Sequence, residues 1–344
     1  MSVMKAISLF SGAGGLDWGF RQAGFNVVWA NDVDKWACET YRANFGDEIH
    51  CGSLMDFDYS RLPDCDLVFG GPPCQGFSVA GKMDPNDPRS RLVFEFQKVV
   101  EAKRPRMFVM ENVAALGRLK KFSEVRDRLL GAYGGMGYNV RFKMLDSQFY
   151  STPQRRERLI MIGTSEKGSL IRFPRPTSRI TTAREVLLRL DEAGSGNNRG
   201  VCEARITVAK HPVLRASAYA GMLFNGMGRP IDLNRPCQTL PASMGGNKTP
   251  FIDTRLLHDP DAENWIEELH KKAMAGKRID DQSVPSFIRR ITVSEAAALQ
   301  GFPPDFVFKG SQCDKYRQIG NSVPPPFAYH IAKTVYSLLK GEER

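Results

Sequence analysis

Long apolar runs are missing from these 344 residues; nothing approaches the roughly 18 uninterrupted apolar residues that a membrane span needs. The opening stretch, MSVMKAISLF, has one lysine and then enters a glycine loop, without the apolar core and small-residue cleavage site of a secretory signal. A cytoplasmic protein with no membrane attachment is the expectation. The usual zinc spacings are missing too: seven cysteines (38, 51, 65, 74, 202, 237 and 313) are scattered with no C-x-x-C pair, which points to reduced thiols and no metal. No internal repeat or low-complexity tail is present. What is there is ordinary for a globular chain, 42% hydrophobic and 25% charged, and long enough for one large or two modest domains. The net charge of +10 is uneven. Residues 155–189 hold nine Lys/Arg against three Glu, whereas 259–268 hold five acids and no base. Such clustering suggests a polyanionic partner, nucleic acid being the commonest, with solvated helix faces as the alternative.

The first 165 or so residues alternate β-rich runs (KAISLF, NVVWAN, CDLVFGG, RMFVMENV, RLIMIGT) with helical periodicity (LDWGFRQAG, DKWACETYRANF, SRLVFEFQKVVEAKR, FSEVRDRLLGAYGGMG). That alternation predicts an α/β fold with a doubly wound, mostly parallel sheet. From about residue 172 the chain becomes rich in Gly, Pro and Asn, which reads as a smaller, loop-rich second module. TVSEAAALQGF then offers a capping box, Thr292 with Glu295, and FAYHIAKTVYSLLK an amphipathic helix suited to packing back on the first module.

In LFSGAGGLDWGF, glycines at 12, 14 and 15 allow positive φ and close approach of a ligand, at a helix N-terminus. The spacing does not complete G-x-G-x-x-G, because Asp17 stands where its last glycine belongs, so a pyrophosphate cofactor is disfavoured. Eighteen residues after Gly14, Asp32 lies just past the second strand, where an acid can bind ribose hydroxyls. A nucleoside with a ribose and no diphosphate suits both features, and S-adenosylmethionine is such a ligand. In GGPPCQGFS, Pro72 and Pro73 fix the path of the chain into Cys74 at a strand end, which suits a held nucleophile better than an inert thiol. Its activation would need cations brought by folding. Glu111 ends the apolar run FVMENV; burial would raise its pKa towards proton transfer, while a salt bridge or cap is the plainer reading. Arg156 and Arg158, two apart in QRRER, suit phosphate, a substrate base or activation of a thiolate.

With these motifs in place the chain resembles the bacterial DNA (cytosine-5)-methyltransferases over essentially its whole length, in the family's order: FSGAGGL, PPCQGFS, ENV, QRRER, a variable region, LQGFP and GNSV. The resemblance implies S-adenosylmethionine as methyl donor, S-adenosylhomocysteine as product, and double-stranded DNA as partner. It also implies a methyltransferase-type catalytic and cofactor domain (1–178), a target-recognition domain (179–288), a hinge (289–319) and a C-terminal helix (320–344) returning to the first. By resemblance the target cytosine is flipped out; Cys74 adds to carbon 6, Glu111 protonates N3, and Arg156 and Arg158 contact the base and thiolate region. Phe10, Gly12, Gly14, Gly15, Leu16, Asp32, Val33, Ser53, Leu54, Pro73, Asn321 and Ser322 fall at cofactor-pocket positions. Gln75 and Ser78, in PPCQGFS, Gly81, Lys82 and Arg89, on a closing loop, and Thr239, Asn247 and Lys248, in the variable region, are the expected DNA contacts. Two departures stand out: Val33 where the family often has a bulkier residue against adenine, and Ser53 where many members carry an acid. Either the Ser53 hydroxyl or Asp56 would then meet the adenine amino group. A restriction endonuclease acting separately is a plausible companion, and a monomer the expected state. The alternatives are the family's tRNA-methylating branch and a catalytically silent DNA-binding relative.

Overall fold

In the computed structural model of the chain, residues 3–73, 91–166, 168–279 and 283–342 are described. Strands β1 (Lys5–Leu9), β2 (Asn26–Asp32), β3 (Ile49–Cys51), β4 (Leu67–Gly70), β5 (Met107–Val113), β6 (Asn139–Asp146) and β7 (Glu157–Thr164) form one sheet in the order β3-β2-β1-β4-β5-β7-β6. The first five pair in parallel, whereas β7 runs antiparallel between β5 and β6. The fold is therefore the expected α/β class with a mostly parallel sheet. Strand β6 was not foreseen, because NVRFKMLD mixes charge with apolar residues; it is an edge strand, where charge is tolerated and guards against pairing with another chain.

Successive residues of each strand feed opposite faces of the sheet. Ala6, Phe69, Val109 and Ile160 enter one core, with Phe20 of α1 (Gly15–Gln22) and Tyr41 of α2 (Lys35–Phe45). Ile7, Val68, Phe108 and Leu159 enter the other, with Phe96 of α3 (Leu92–Lys103), Leu116 of α4 (Ala114–Arg118) and Tyr133 of α5 (Ser123–Gly135). This double winding leaves the carboxyl ends of β1, β2, β4 and β5 to carry the glycine turn, Asp32, Pro72-Pro73 and Glu111.

The chain divides into two compact units: Met1–Tyr150, Arg156–Thr177 and Val323–Arg344 form the first, Ser151–Arg155 and Ser178–Ser322 the second. The second holds α6 (Ala183–Leu187), the hairpin β8 (Val208–Val213) and β9 (Met222–Phe224), and β10 (Phe251–Asp253), followed by α7 (Thr254–His258) and α8 (Trp265–Met274). Strand β11 (Ile288–Arg290), antiparallel to β10, then leads to α9 (Val293–Gln300) and α10 (Gln312–Asn321). The stretch expected as a hinge, 289–319, lies inside this unit. Thr292 and Glu295 form the predicted capping box at α9. Part of the acidic run is explained by α8, whose first turn carries Glu267 and Glu268, where negative charge meets the positive end of the helix dipole.

Helix α11 (Pro325–Leu339) belongs to the first unit and packs on α1. The approach is close enough that a Cβ at Gly19 would lie 2.4 Å from the Tyr329 amide nitrogen. Among the described residues no helix is long and apolar enough to cross a membrane.

Candidate active site

The glycine turn between β1 and α1 is built from backbone that few residues adopt. Phe10 has φ 54°, Gly12 55° and Gly14 89°. A non-glycine residue held at positive φ stores strain of order 1–3 kcal/mol, and such strain clusters where a ligand is held. Gly14 admits nothing larger, since a Cβ there would fall 2.2 Å from the Phe45 ring, whereas the space around Gly12 is open for 4 Å. The Gly12 amide donates to Asp32 Oδ2 at 2.8 Å, and the Asp34 amide to Asp32 Oδ1 at 2.8 Å. The carboxylate is thus fixed in place at the end of β2. Burial pushes its pKa up, against the pull of the Asp34 and Gly12 amides. Beside it Val33 is 74% exposed, an apolar surface with no role in the core. Asn31, behind them, donates to the carbonyls of His50 and Gly52 and so ties β2 to the segment carrying Ser53. Ser53 accepts the Met55 amide at 3.3 Å, capping a short 3-10 turn that seats Leu54 in the core. Asp56 is exposed.

A second cluster sits at the adjoining ends of β5 and β7. The register pairs Glu111 with Ile160, so Arg158 lies diagonally across the ladder on the same face. Arg158 Nε meets Glu111 Oε1 at 2.8 Å, with the two side chains only 14% and 11% exposed. Arg156, just before β7, is 4% exposed; burial and then the Arg158 charge push its guanidinium pKa down, while Glu111 counters. A carboxylate and two guanidinium groups thus share one desolvated corner. The chain entering Pro72-Pro73 runs along it: a Cβ at Gly71 would stand 3.0 Å from Glu111 Oε2. Asn112 donates to the Pro72 carbonyl at 3.2 Å and its own side-chain oxygen accepts the Val113 amide, locking the proline segment to the end of β5. Such a corner can bind and protonate a planar amidine-like ring edge, the geometry that a cytosine presents.

The family profile described as C-5 cytosine-specific DNA methylase matches residues 4–337. The chain belongs to that family. It is an enzyme, a DNA (cytosine-5-)-methyltransferase. It is 34% identical over 343 residues to the Type II methyltransferase M.MthTI of Methanothermobacter thermautotrophicus, covering 98% of each chain. It is 31% identical to the Type II methyltransferase M.FnuDI of Fusobacterium nucleatum, covering 99% of this chain and 96% of that one. Among solved structures its fold matches the methyltransferase EhMeth of Entamoeba histolytica (TM-score 0.69, 17% identity, all of both chains). It also matches the S. pombe Dnmt2 methyltransferase (TM-score 0.65, 20% identity, 99% of both chains).

The remaining expected site residues of this methylase distribute as follows. Pro73 is half-buried beside Pro72, and Leu16 is buried in the core shared by α1 and α11. Gly15 opens α1 and is buried. Cys74, Gln75, Ser78, Gly81, Lys82 and Arg89 lie outside the described residues. Asn321 and Ser322 end α10 in the second unit, where the Ser322 hydroxyl donates to the Gln318 carbonyl and Gln300 donates to the Ser322 carbonyl. Thr239, exposed, spends its hydroxyl on the Arg155 carbonyl at 2.7 Å, while Asn247 and Lys248 are exposed on the same unit. The QRRER run changes unit within itself: Gln154 and Arg155 belong to the second, Arg156 onward to the first. Sequence reasoning missed Asn112, although an amide side chain directly after the strand-end glutamate was a usable signal. It also treated Asp17 only as a break in a glycine pattern.

Proposed function

We propose that the enzyme moves a methyl group from S-adenosylmethionine to carbon 5 of one cytosine within a specific duplex sequence, after that base has been turned out of the helix. The observation that carries this is the buried Glu111–Arg158 pair beside a proline segment that leads directly, in sequence, to Cys74. When bound, S-adenosylmethionine supplies an electrophilic methyl group. The residues present fit it: Asp32, pinned by the Gly12 and Asp34 amides, would accept from the ribose hydroxyls, Val33 offers an apolar surface to the adenine, and the open backbone at Gly12 admits the amino-acid end.

Cys74 as thiolate adds to carbon 6 while Glu111 delivers a proton to N3, so that carbon 5 carries the electron pair that takes up the methyl group. Loss of the carbon-5 proton to water then drives out the thiolate, N3 returns its proton to the Glu111 carboxylate, and the aromatic ring is restored. Arg158 holds the Glu111 carboxyl in line with the base edge, and Arg156 adds a second buried positive charge to the same corner. The second unit, with exposed Asn247 and Lys248, reads the duplex. The enzyme works as a cytoplasmic monomer, the modification half of a pair whose restriction endonuclease acts separately.

Bisulfite sequencing of plasmid recovered from cells expressing the chain tests this directly. One recurrent methylated motif is expected, and Cys74→Ala is expected to abolish it while S-adenosylhomocysteine still binds. Label entering tRNA in place of DNA, or turnover by Cys74→Ala, would sink the reading.

A further inference from the structure

Beneath the glycine turn lies a carboxylate that the reaction does not use. Asp17, in the first turn of α1, has no exposed surface. Its oxygens accept from Ser8 Oγ at 3.0 Å and from the Tyr41 hydroxyl at 2.8 Å. The nearest cation on its own helix, Arg21, bridges instead to Glu48 at 3.4 Å. Burial pushes the Asp17 carboxyl up to about 6, against the pull of Ser8, Tyr41 and Arg21. A carboxylate buried chiefly against hydroxyls, with its one helix cation bridged elsewhere, weakens a fold, so its presence calls for another reason.

That reason lies along the hydrogen bonds. Ionised, Asp17 can only accept, so Ser8 must donate to it. Ser8 has a single hydroxyl proton, so across the 2.8 Å contact between the two serine oxygens Ser11 is the donor, its proton shared with the Ser8 carbonyl at 3.3 Å. Ser11 Oγ then faces the Asn31 amide, 3.3 Å away, with a lone pair. The Ser11 amide in turn donates to the Asn31 carbonyl at 2.9 Å. The next residue on each side of this seam is Gly12 and Asp32, whose amide and carboxylate meet at 2.8 Å. The charge on Asp17 therefore fixes the proton order of a chain that reaches the Asn31 amide, one residue before Asp32, beside the Gly12–Asp32 contact.

We propose that Asp17, acting through Ser8 and Ser11, is a positioning residue that holds the glycine turn and Asp32 in register for the methyl donor. This rests on the reading of that turn as the S-adenosylmethionine site. Asp17→Asn keeps the shape and removes the charge that orders the chain. Ser8→Ala cuts the chain and leaves the charge, and serves as the second variant. Titration calorimetry with S-adenosylhomocysteine at pH 8, with melting of the ligand-free protein alongside, reads both. Asp17→Asn is expected to bind about tenfold more weakly while melting no lower than wild type, and in turnover the loss falls on KM for the donor rather than on kcat. Ser8→Ala should weaken binding in the same direction. Asp17→Asn binding within twofold of wild type overturns this inference alone. Wild type that binds no S-adenosylhomocysteine overturns the reading of the turn and the inference with it.

Discussion

Replacing Glu111 by glutamine changes one charge and almost no volume, so its two consequences can be separated. In the fold, the carboxylate offsets Arg158 at 2.8 Å and the buried Arg156, and glutamine leaves both guanidinium groups without that offset. Breaking a buried pair by removing one partner costs about 3–5 kcal/mol. The pair keeps 14% and 11% of its side-chain surface and the amide oxygen still accepts from Arg158, so the low end, about 3 kcal/mol, applies. For a unit of this size that is a fall in Tm of about 6–12 °C. In the reaction, N3 loses its proton donor, which typically costs ~10²–10⁴-fold, or about 3–5 kcal/mol of barrier. Thermal melting by circular dichroism gives the first number, and tritium transfer from S-adenosylmethionine to plasmid, run well below the variant's melting range, gives the second. A folded Glu111→Gln enzyme with kcat within tenfold of wild type refutes the proton-donor role. An unchanged Tm refutes the energetic account of the pair.

Three further outcomes are expected. Asp17 titrates near 6 when folded and near 3.8 when not, so its contribution to stability is full below pH 3.8, is lost as pH rises through 6, and differs by about 3 kcal/mol across that window. Chemical denaturation of wild type and Asp17→Asn from pH 4 to 8 should show the variant gaining on wild type as pH rises, and a constant difference would contradict the buried charge. Gly19→Ala puts a Cβ against the Tyr329 and Ala328 backbone, which cannot rotate aside, and should destabilise the first unit by about 3 kcal/mol in the same assay; an effect under 0.5 kcal/mol would mean that α1 and α11 separate freely. Ser53→Asp keeps an oxygen to cap the Met55 amide and adds a second that can accept from an adenine amino group, so S-adenosylhomocysteine should bind several-fold tighter, and weaker binding would place the adenine elsewhere.

The strands and helices of the first unit were legible because each is a short apolar run or a periodic segment whose partners lie on both faces of one sheet; β6 escaped because an edge strand needs no such run. The site was legible as residue types, much less as contacts. Glu111 and Arg158 stand 47 positions apart, and only the antiparallel insertion of β7 beside β5 sets them diagonally on one face, a pairing that a fully parallel sheet would not give. Asn112 reaches Pro72 across the β4–β5 ladder. Asp17 meets Tyr41 because α1 and α2 share the core under the turn, 24 residues apart in sequence. In each case the chemistry depends on a neighbour supplied by topology. The glycine turn differs, since its strain, its open backbone and its contact to Asp32 all follow from residues at the ends of two adjacent parallel strands. A buried charge beneath it, disfavoured by the fold and tied by hydroxyls to the Ser11–Asn31 seam beside Gly12 and Asp32, is what a turn holding the proposed methyl donor would retain against the pull of stability.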